Sequence, residues 1–582
     1  MRITYNDKLN KLLNPYLESL LKEKSSLEPE TLTLFDLFME DLDMGGRYGI
    51  FSEILEPRLE EIIREENIES IANLMDGRLN TLFRYMLGDE FAGLFHTYLQ
   101  LEARCPHTIG YDRRAQRSAN PSNHLDHARD AWLQFLKLRA TGFSVEAILK
   151  GGNTPEDTEE FSGYMNSSYW LAAQIAQGNE KVIEYLNQVL TSENNVHRLQ
   201  RWYLHAIAIS GYRPLLELEG KLLLAAKLQE GLRQAIVETM DEGCPESYLY
   251  LFSIIYNNGL QRFASVKRSI AVCTGIGEQD SSERITNKYV ELIWNFLNHP
   301  ETARNALQSK DTVELYLALW SIGFYDTDEI RAIVPDIIRK GAKHQIQTLL
   351  YFLRCTQSSQ MNHLISKDAF EVWHDDPKVV AAILPLYMDG LYLSRYSDNK
   401  EAPTLSDYFE SPEEAVRHYG YLKQVYQSIS AKEVYSPYVF PWDCVVLTRS
   451  DVVLKMAYIA WMTNDIRLRE ELCTYLPALE SYNRASYIGI VLARTESKVE
   501  QEYVLQSLGD RSADIRDEAY KVLSEMSLSP EQYQHIEELL RFKYSEMRIN
   551  AINLLMKQPK EQLADSIRRL LTDKVAERRL AG

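Results

Sequence analysis

Near its end the chain repeats itself at a fixed period. Leu508, Ile515, Ala519 and Leu523 return thirty-two residues later as Leu540, Met547, Ala551 and Leu555, and Arg516 returns as Arg548. A shorter echo follows about thirty-one residues on, in Leu571, Asp573 and Arg579, and Leu476, Arg484 and Val491 stand at the same phase one unit upstream. A period of roughly 30 to 45 residues belongs to helical repeats. Each unit there is a helix pair that cannot bury its apolar face alone and has to stack on its neighbours. Ile515, Ala519 and Leu523 stand four residues apart, which places them on one stripe of a helix. The small Ala519 lets a second helix approach closely.

Helical periodicity also dominates upstream. Leu17, Leu20 and Leu21, then Ile62, Ile63, Ile68, Ile71 and Leu74, then Leu215, Leu216, Leu222, Leu223, Leu224, Leu228 and Leu232 recur at helical spacing. Strand-like alternation is almost absent. Val445-Val446-Leu447 is a short apolar run, but the pattern from Asp451 predicts a helix with Ser450 as its N-cap. Ser411-Pro412 with Glu414, and Ser529-Pro530 with Gln532, are helix-start signals of the capping-box kind. Polar segments at 104–123, 150–160, 274–284 and 397–413 read as loops. The expected fold is all-α, an α-solenoid or armadillo-type superhelix with irregular helical pairs upstream. Its expected parts are an N-terminal helical region with an Arg-rich loop (1–150), irregular helical repeats (151–400), a helical connection with an aromatic loop (401–475) and regular repeats (476–582).

The pattern Leu508-x-Asp510-x4-Ile515-Arg516-x2-Ala519-x3-Leu523, with its echoes at 540–555 and 571–582, resembles HEAT-type repeats over about the last 107 residues. The resemblance implies that Asp510, Asp573, Arg516, Arg548 and Arg579 form a ladder between neighbouring units, weakened in the second unit where Phe542 replaces the Asp. More loosely, the chain resembles the N-terminal helical part of large bacterial proteins of unknown function related to molybdate metabolism regulator-like proteins.

Charge narrows the partners. The formal net charge is −19, from 64 Lys and Arg against 83 Asp and Glu. Residues 476–582 are nearly neutral, so the acidity lies upstream. A phosphate backbone would be repelled unless a local basic face compensated, and nucleic acid is not the expected partner. Six cysteines, at 105, 244, 273, 355, 444 and 473, form no close pair and suit a reducing compartment. The N-terminus carries no apolar secretory core, and no run approaches the length of a membrane span. The expected location is the cytoplasm.

Candidate chemistry is sparse. Cys105-x-His107 and His124-x2-His127 are the densest metal-type residues, since zinc needs three or four such ligands converging on a tetrahedron. Cys-x-His is an uncommon ligand spacing, however, and Pro106 and Pro121 constrain the loop. No metal or other cofactor is therefore expected. Arg113, Arg114 and Arg117, with Arg104 and Arg129, make the clearest basic patch, suited to an acidic partner or to the chain's own acidic helices. Asp41-x-Asp43-x-Gly45-Gly46 opens like a calcium loop, but Ser52 stands where a bidentate Glu is required. Gly275-Ile276-Gly277 lacks the third glycine of a dinucleotide site, and no nucleotide, nucleophile-elbow or zinc-protease motif is present. Trp373-His374-Asp375-Asp376-Pro377 sets a histidine beside carboxylates, and Pro377 predicts a helix start behind an acidic cap. Tyr435, Tyr438, Phe440 and Trp442, with Pro437 and Pro441, form a rigid aromatic loop, the composition of an interface anchor or of a plug between helices.

The function expected from these residues is a non-enzymatic protein–protein interaction scaffold. The alternative is a HEAT-like protein that binds nucleic acid or repairs DNA bases. The repeat pattern stops within an apolar unit at Gly582, which carries the expectation that the sequence is part of a longer protein, with any catalytic domain beyond it.

Overall fold

The computed structural model describes residues 7–44, 55–68, 71–104, 132, 135, 136, 138–140, 167–191, 199–226, 228–241, 243–276, 285–325, 327–356, 359–396, 400–429, 433–437, 444–495, 497–542 and 544–582. Two compact units divide the chain. One comprises residues 1–333 with 355–358, and the other 334–354 with 359–582. Nearly every described element is a helix. The exception is an antiparallel hairpin, Val434–Pro437 against Cys444–Leu447, with Tyr435 opposite Val446.

The first unit starts from an aromatic cluster. Phe38 meets Trp132 at 5.1 Å between ring centroids, Phe83 meets Phe95 at 5.3 Å, and Phe95 meets Phe135 at 5.3 Å, mostly edge to face. From Ser167 onward the helices pack next-but-one. Ser167–Ala176 touches Arg201–Ser210, which touches Glu230–Asp241, which touches Ala264–Cys273. The intervening helices do the same: Glu180–Thr191, Arg213–Ala225, Pro245–Asn257, Asn287–Asn298 and Thr312–Tyr325 each touch the next of their series. The loop ahead of Pro245–Asn257 runs against an earlier helix: Cys244 N–H donates to the Ala208 carbonyl at 3.0 Å, and a Cβ on Gly243 would fall 2.8 Å from that oxygen. Only glycine fits there.

The second unit ends in the same pattern at the period read from the sequence. Ile466–Leu472, Lys498–Ser507, Pro530–Leu539 and Lys560–Leu571 form one series. Ser481–Ile490, Ala513–Glu525 and Ser545–Leu555 form the other. The caps share the period: Asp465, Ser497 and Ser529 each accept a backbone N–H from the first turn of their helix, satisfying donors the helix leaves open. Ser529 and Gln532 complete a reciprocal capping box. Leu508, Ile515, Ala519 and Leu523 are buried, as are Leu540, Met547, Ala551 and Leu555. Burial of each larger one contributes about 1.5–3 kcal/mol. In the third echo the match weakens, since Leu571 is 54% exposed.

Two local expectations are corrected. Val445–Leu447 is a strand, because Val434–Pro437 supplies the backbone partners that a three-residue run cannot supply alone. The helix after it, Arg449–Thr463, is capped by Thr448 rather than Ser450: the Thr448 hydroxyl accepts from Asp451 N–H, and the Asp451 carboxylate accepts from Thr448 N–H at 2.7 Å.

Two acids in the first unit set its pH response. Glu219 is fully buried, with neither carboxyl oxygen hydrogen-bonded, and burial raises its pKa well above the usual carboxylate range. Burial pushes the Glu102 carboxyl up to about 8. Both groups have folded-state pKa values above their unfolded ones, so the stability they allow is present below about pH 4.5 and is lost as pH rises through the folded values. Urea denaturation should show falling stability between about pH 5.5 and pH 9. Glu219→Met should flatten that fall and exceed the parent by more than about 1 kcal/mol at the alkaline end. Identical pH slopes for the two chains would contradict it.

Candidate functional site

The helix Ser359–Trp373 carries His363, Lys367 and Glu371 at four-residue steps, which sets them on one stripe. The helix Pro412–Ser428 carries Glu414 and His418 on another. Its start follows the expected chemistry in part. The Ser411 hydroxyl accepts Glu414 N–H at 3.2 Å, but the Glu414 carboxylate turns to Glu410 N–H at 2.6 Å rather than closing a box on Ser411. Between these helices, Asp376 caps Pro377–Ile383 through the N–H groups of Lys378 and Val379, as the Asp-Pro pair predicts. That short helix leads into the turn bearing Tyr387 and Met388.

The stripes meet in a buried polar network. His418 has no side-chain exposure, and its Nε2 lies 3.0 Å from Glu371 Oε1 while its Nδ1 lies 2.8 Å from the Tyr387 hydroxyl. A carboxylate only accepts, so a neutral His418 carries its proton on Nε2 and takes the Tyr387 O–H on Nδ1. Arg417 donates to the same Glu371 oxygen at 2.7 and 3.1 Å. Lys367 pairs with Glu414 at 3.0 Å, both side chains nearly enclosed. His363 is anchored by backbone on both sides: Met388 N–H donates to Nδ1 at 2.9 Å, and Nε2–H donates to the Tyr408 carbonyl at 2.9 Å. Met388 holds a φ of +52°, a conformation that costs a side-chain-bearing residue about 1 kcal/mol or more. The His363 contact holds that turn in place.

Electrostatics follow burial and pairing. Burial pushes His363 down to about 4, and burial also lowers His418 against the pull of Glu371. Burial alone would raise Glu371 and Glu414. The Arg417 bond to Glu371, and the Glu410 N–H and Lys367 contacts to Glu414, outweigh it and hold both below the usual carboxylate range. Tyr387, wholly enclosed, is pushed well up. At neutral pH the network is therefore two neutral histidines, one neutral phenol, two carboxylates and two matched cations.

Tyr387–His418–Glu371 has the order of a proton relay, but its terminal hydroxyl is sealed in the core, so the chain of bonds reaches no substrate. Glu371, Glu414 and His418 also place one ligand atom each within 4.8 Å of one another. That donor set does not fit a divalent metal as it stands. His418 Nε2 carries the proton that a metal would have to replace, and Arg417 and Lys367 already neutralise the two carboxylates. The arrangement is chemically a lock between two helices and a strained turn.

The sequence candidates are distributed otherwise. Cys105, His107, His124 and His127, together with Arg113, Arg114 and Arg117, lie outside the described residues, as do Tyr438, Phe440 and Trp442. Tyr435 stands in the first strand of the hairpin, its side chain outside the description. Arg104, at the edge of the basic patch, pairs with Glu246 at 3.1 Å. His374 stacks on Tyr421, centroids 3.8 Å apart, and borders the network through its Nδ1, 3.2 Å from the Glu371 carbonyl oxygen. The signal for the network was present in the sequence as His363-x3-Lys367-x3-Glu371 and Glu414-x3-His418, polar residues at helical spacing among apolar ones. What pairs the two stripes is tertiary.

An all-α protein with a sealed histidine–carboxylate lock is the class this geometry defines. The chain belongs to a family of unknown function, DUF5724, whose signature matches residues 34–582. No curated protein and no solved structure matches it.

Acid tests the lock. His363 has a folded pKa below its unfolded value, so its contribution is present above about pH 6.5 and is lost as pH falls toward 4. The loss amounts to roughly 3 kcal/mol. His363→Gln, which does not titrate, should lose correspondingly less stability between about pH 7 and pH 4 in urea denaturation. An equal loss in parent and variant would show that His363 does not titrate as described.

Proposed function

We propose that the chain is an α-solenoid serving as a non-enzymatic scaffold for protein partners. The observation that carries the reading is the packing of alternate helices in both units, with the later series held to a 32-residue period by caps at Asp465, Ser497 and Ser529. Stacked helix pairs of this kind present extended surfaces without needing a reaction centre. The sealed character of the Tyr387–His418–Glu371 chain supports the same reading, and so do the exposed aromatics Tyr392 and Tyr396, 67% and 72% exposed.

The arginines of the repeats are engaged within the fold. Arg484 pairs with Asp510 of the next unit at 3.0 Å. Arg516 donates to the Asp510 and Arg511 carbonyls of its own loop, each at 3.0 Å, and Arg579 treats Asp573 and Lys574 in the same way at 2.8 and 2.9 Å. Phe542 leaves Arg516 no Asp one unit on, and its guanidinium reaches Glu546 at 3.5 Å instead. Among the described residues the one Arg–Asp pair between neighbouring units at this phase is thus Arg484–Asp510, while Arg516 and Arg579 clasp loops. Nucleic-acid binding, the alternative, requires those guanidiniums to face phosphates, and only Arg548 has no such engagement among the described residues.

Two outcomes test this reading, and a third tests the helix stacking beneath it. Tagged full chain recovered from its native cells should carry a stoichiometric protein partner that rebinds after purification, and recovery of none would sink the scaffold. Titration with duplex and single-stranded DNA should show no salt-sensitive binding; a steep salt slope would favour the alternative. Arg469 pairs at 2.8 and 2.9 Å with Glu500, which has no exposure. Arg469→Met should cost about 3–5 kcal/mol by stranding that carboxylate, and Glu500→Leu in the same chain should restore most of it. A single variant as stable as the parent would remove the pair from the account.

A further inference from the structure

We infer that Lys455 is a covalent site: its amine is poised to condense with an aldehyde or ketone and form an imine. The helix Arg449–Thr463 that carries it is otherwise core, with Val452, Val453, Met456, Ala457 and Ile459 fully buried. Lys455 is half-buried among them. Among the described residues its ammonium meets no hydrogen-bond acceptor and no ion-pair partner, and its one defined contact is the Tyr458 ring, 5.5 Å from Nζ. The two nearest carboxylates have other partners. Asp451 is held in the capping box with Thr448, and Asp389 accepts Gly390 N–H at 2.9 Å. Asp389 sits in a turn whose neighbours Met388 and Gly390 both hold positive φ, +52° and +83°. Tyr458 fastens the next stretch by donating to the Leu391 carbonyl at 2.9 Å. Gly390 adopts its φ freely, but Met388 is strained, and a strained residue beside a carboxylate that acts on a partnerless lysine is the kind of conformation that folds retain at working sites.

The charge balance around the amine makes it easier to deprotonate than an exposed lysine. Burial lowers it to about 8, and Asp389 and Asp451 oppose that shift without cancelling it. The remaining titratable neighbour, His363, is neutral at pH 7. A lysine desolvated in this way is the activated nucleophile of imine-forming sites. The step balances without a further reagent. The nitrogen lone pair forms a bond to the carbonyl carbon, one proton passes from nitrogen to the former carbonyl oxygen, and the resulting hydroxyl takes the second N–H proton and leaves as water while the C=N bond forms.

The test uses the folded full chain at pH 7 with limiting formaldehyde and cyanoborohydride, which traps each imine as a methylated amine read by peptide mass spectrometry. Lys455 should label at least about tenfold faster than the mean lysine, against a free-base excess of about 300-fold for a pKa near 8 over one near 10.5. Its rate should titrate near pH 8, and Asp389→Asn should move that midpoint down. Lys455→Met, an apolar substitute in a buried helix, should erase the signal. The advantage should vanish in urea. Labelling at or below the mean rate, a midpoint near 10, or an advantage that survives unfolding would each overturn the inference.

Discussion

A buried carboxyl group that stays ionised has to be matched where it stands, and Glu500 shows what that demands. Arg469 offers it two guanidinium bonds, and the Thr495 hydroxyl adds a further one. The three groups sit on different segments, so meeting the charge also sets how the helix Ile466–Leu472 lies on Lys498–Ser507. Arg569 does the same for Glu537, which is 2% exposed, one helix further on. Apolar burial makes these helices stack, but it is non-directional and tolerates slippage. A desolvated ion pair tolerates none, since breaking it leaves a charge stranded at a cost of several kcal/mol.

The His363–Glu371–His418 network applies the same logic where no repeat supplies register. Two helices at unequal sequence distance from their turn must be brought to one relation. Each polar side chain answers another: histidine nitrogen to backbone, lysine to carboxylate, arginine to carboxylate. Neutral histidines suit this role because a ring fixed by two directional partners resists rotation. Full satisfaction also explains why the chemistry is quiet. A relay whose last hydroxyl is enclosed and whose carboxylate is already bound by arginine meets its proton demands inside the fold.

The two kinds of structure were unequally legible in the sequence. The period at Leu508, Ile515, Ala519 and Leu523 was readable because burial of a helix face imposes a spacing that survives changes of residue, as with Met547 for Ile515. The caps at Ser411, Ser529 and Asp376 were readable because they are local. The Thr448–Asp451 box was equally local, and Ser450 obscured it. The strand Val445–Leu447 was not readable, because its stability lies in backbone pairing with a segment containing Pro437. The lock was half readable: helical spacing marks each stripe, but nothing in either stripe names the other. The shared phase of the arginines was the least informative about their partners. Arg484, Arg516 and Arg579 share a register, yet one reaches across units and two close their own loops, because the partner's identity at Asp510 or Phe542 decides where a guanidinium turns.

Lys455, half-buried, differs from the paired charges of the second unit. Glu500, Glu537, Glu371 and Glu414 each have a cation in contact, and Lys367 has its carboxylate. Asp389 and Asp451 carry the sign that would answer it and act on the amine. Both are instead directed at backbone N–H groups, one in a cap and one in a turn with positive φ on either side. Stability alone would favour an apolar residue at this position, as it does at the neighbouring positions of the same helix. An amine kept there without a partner is best explained by a use for its lone pair.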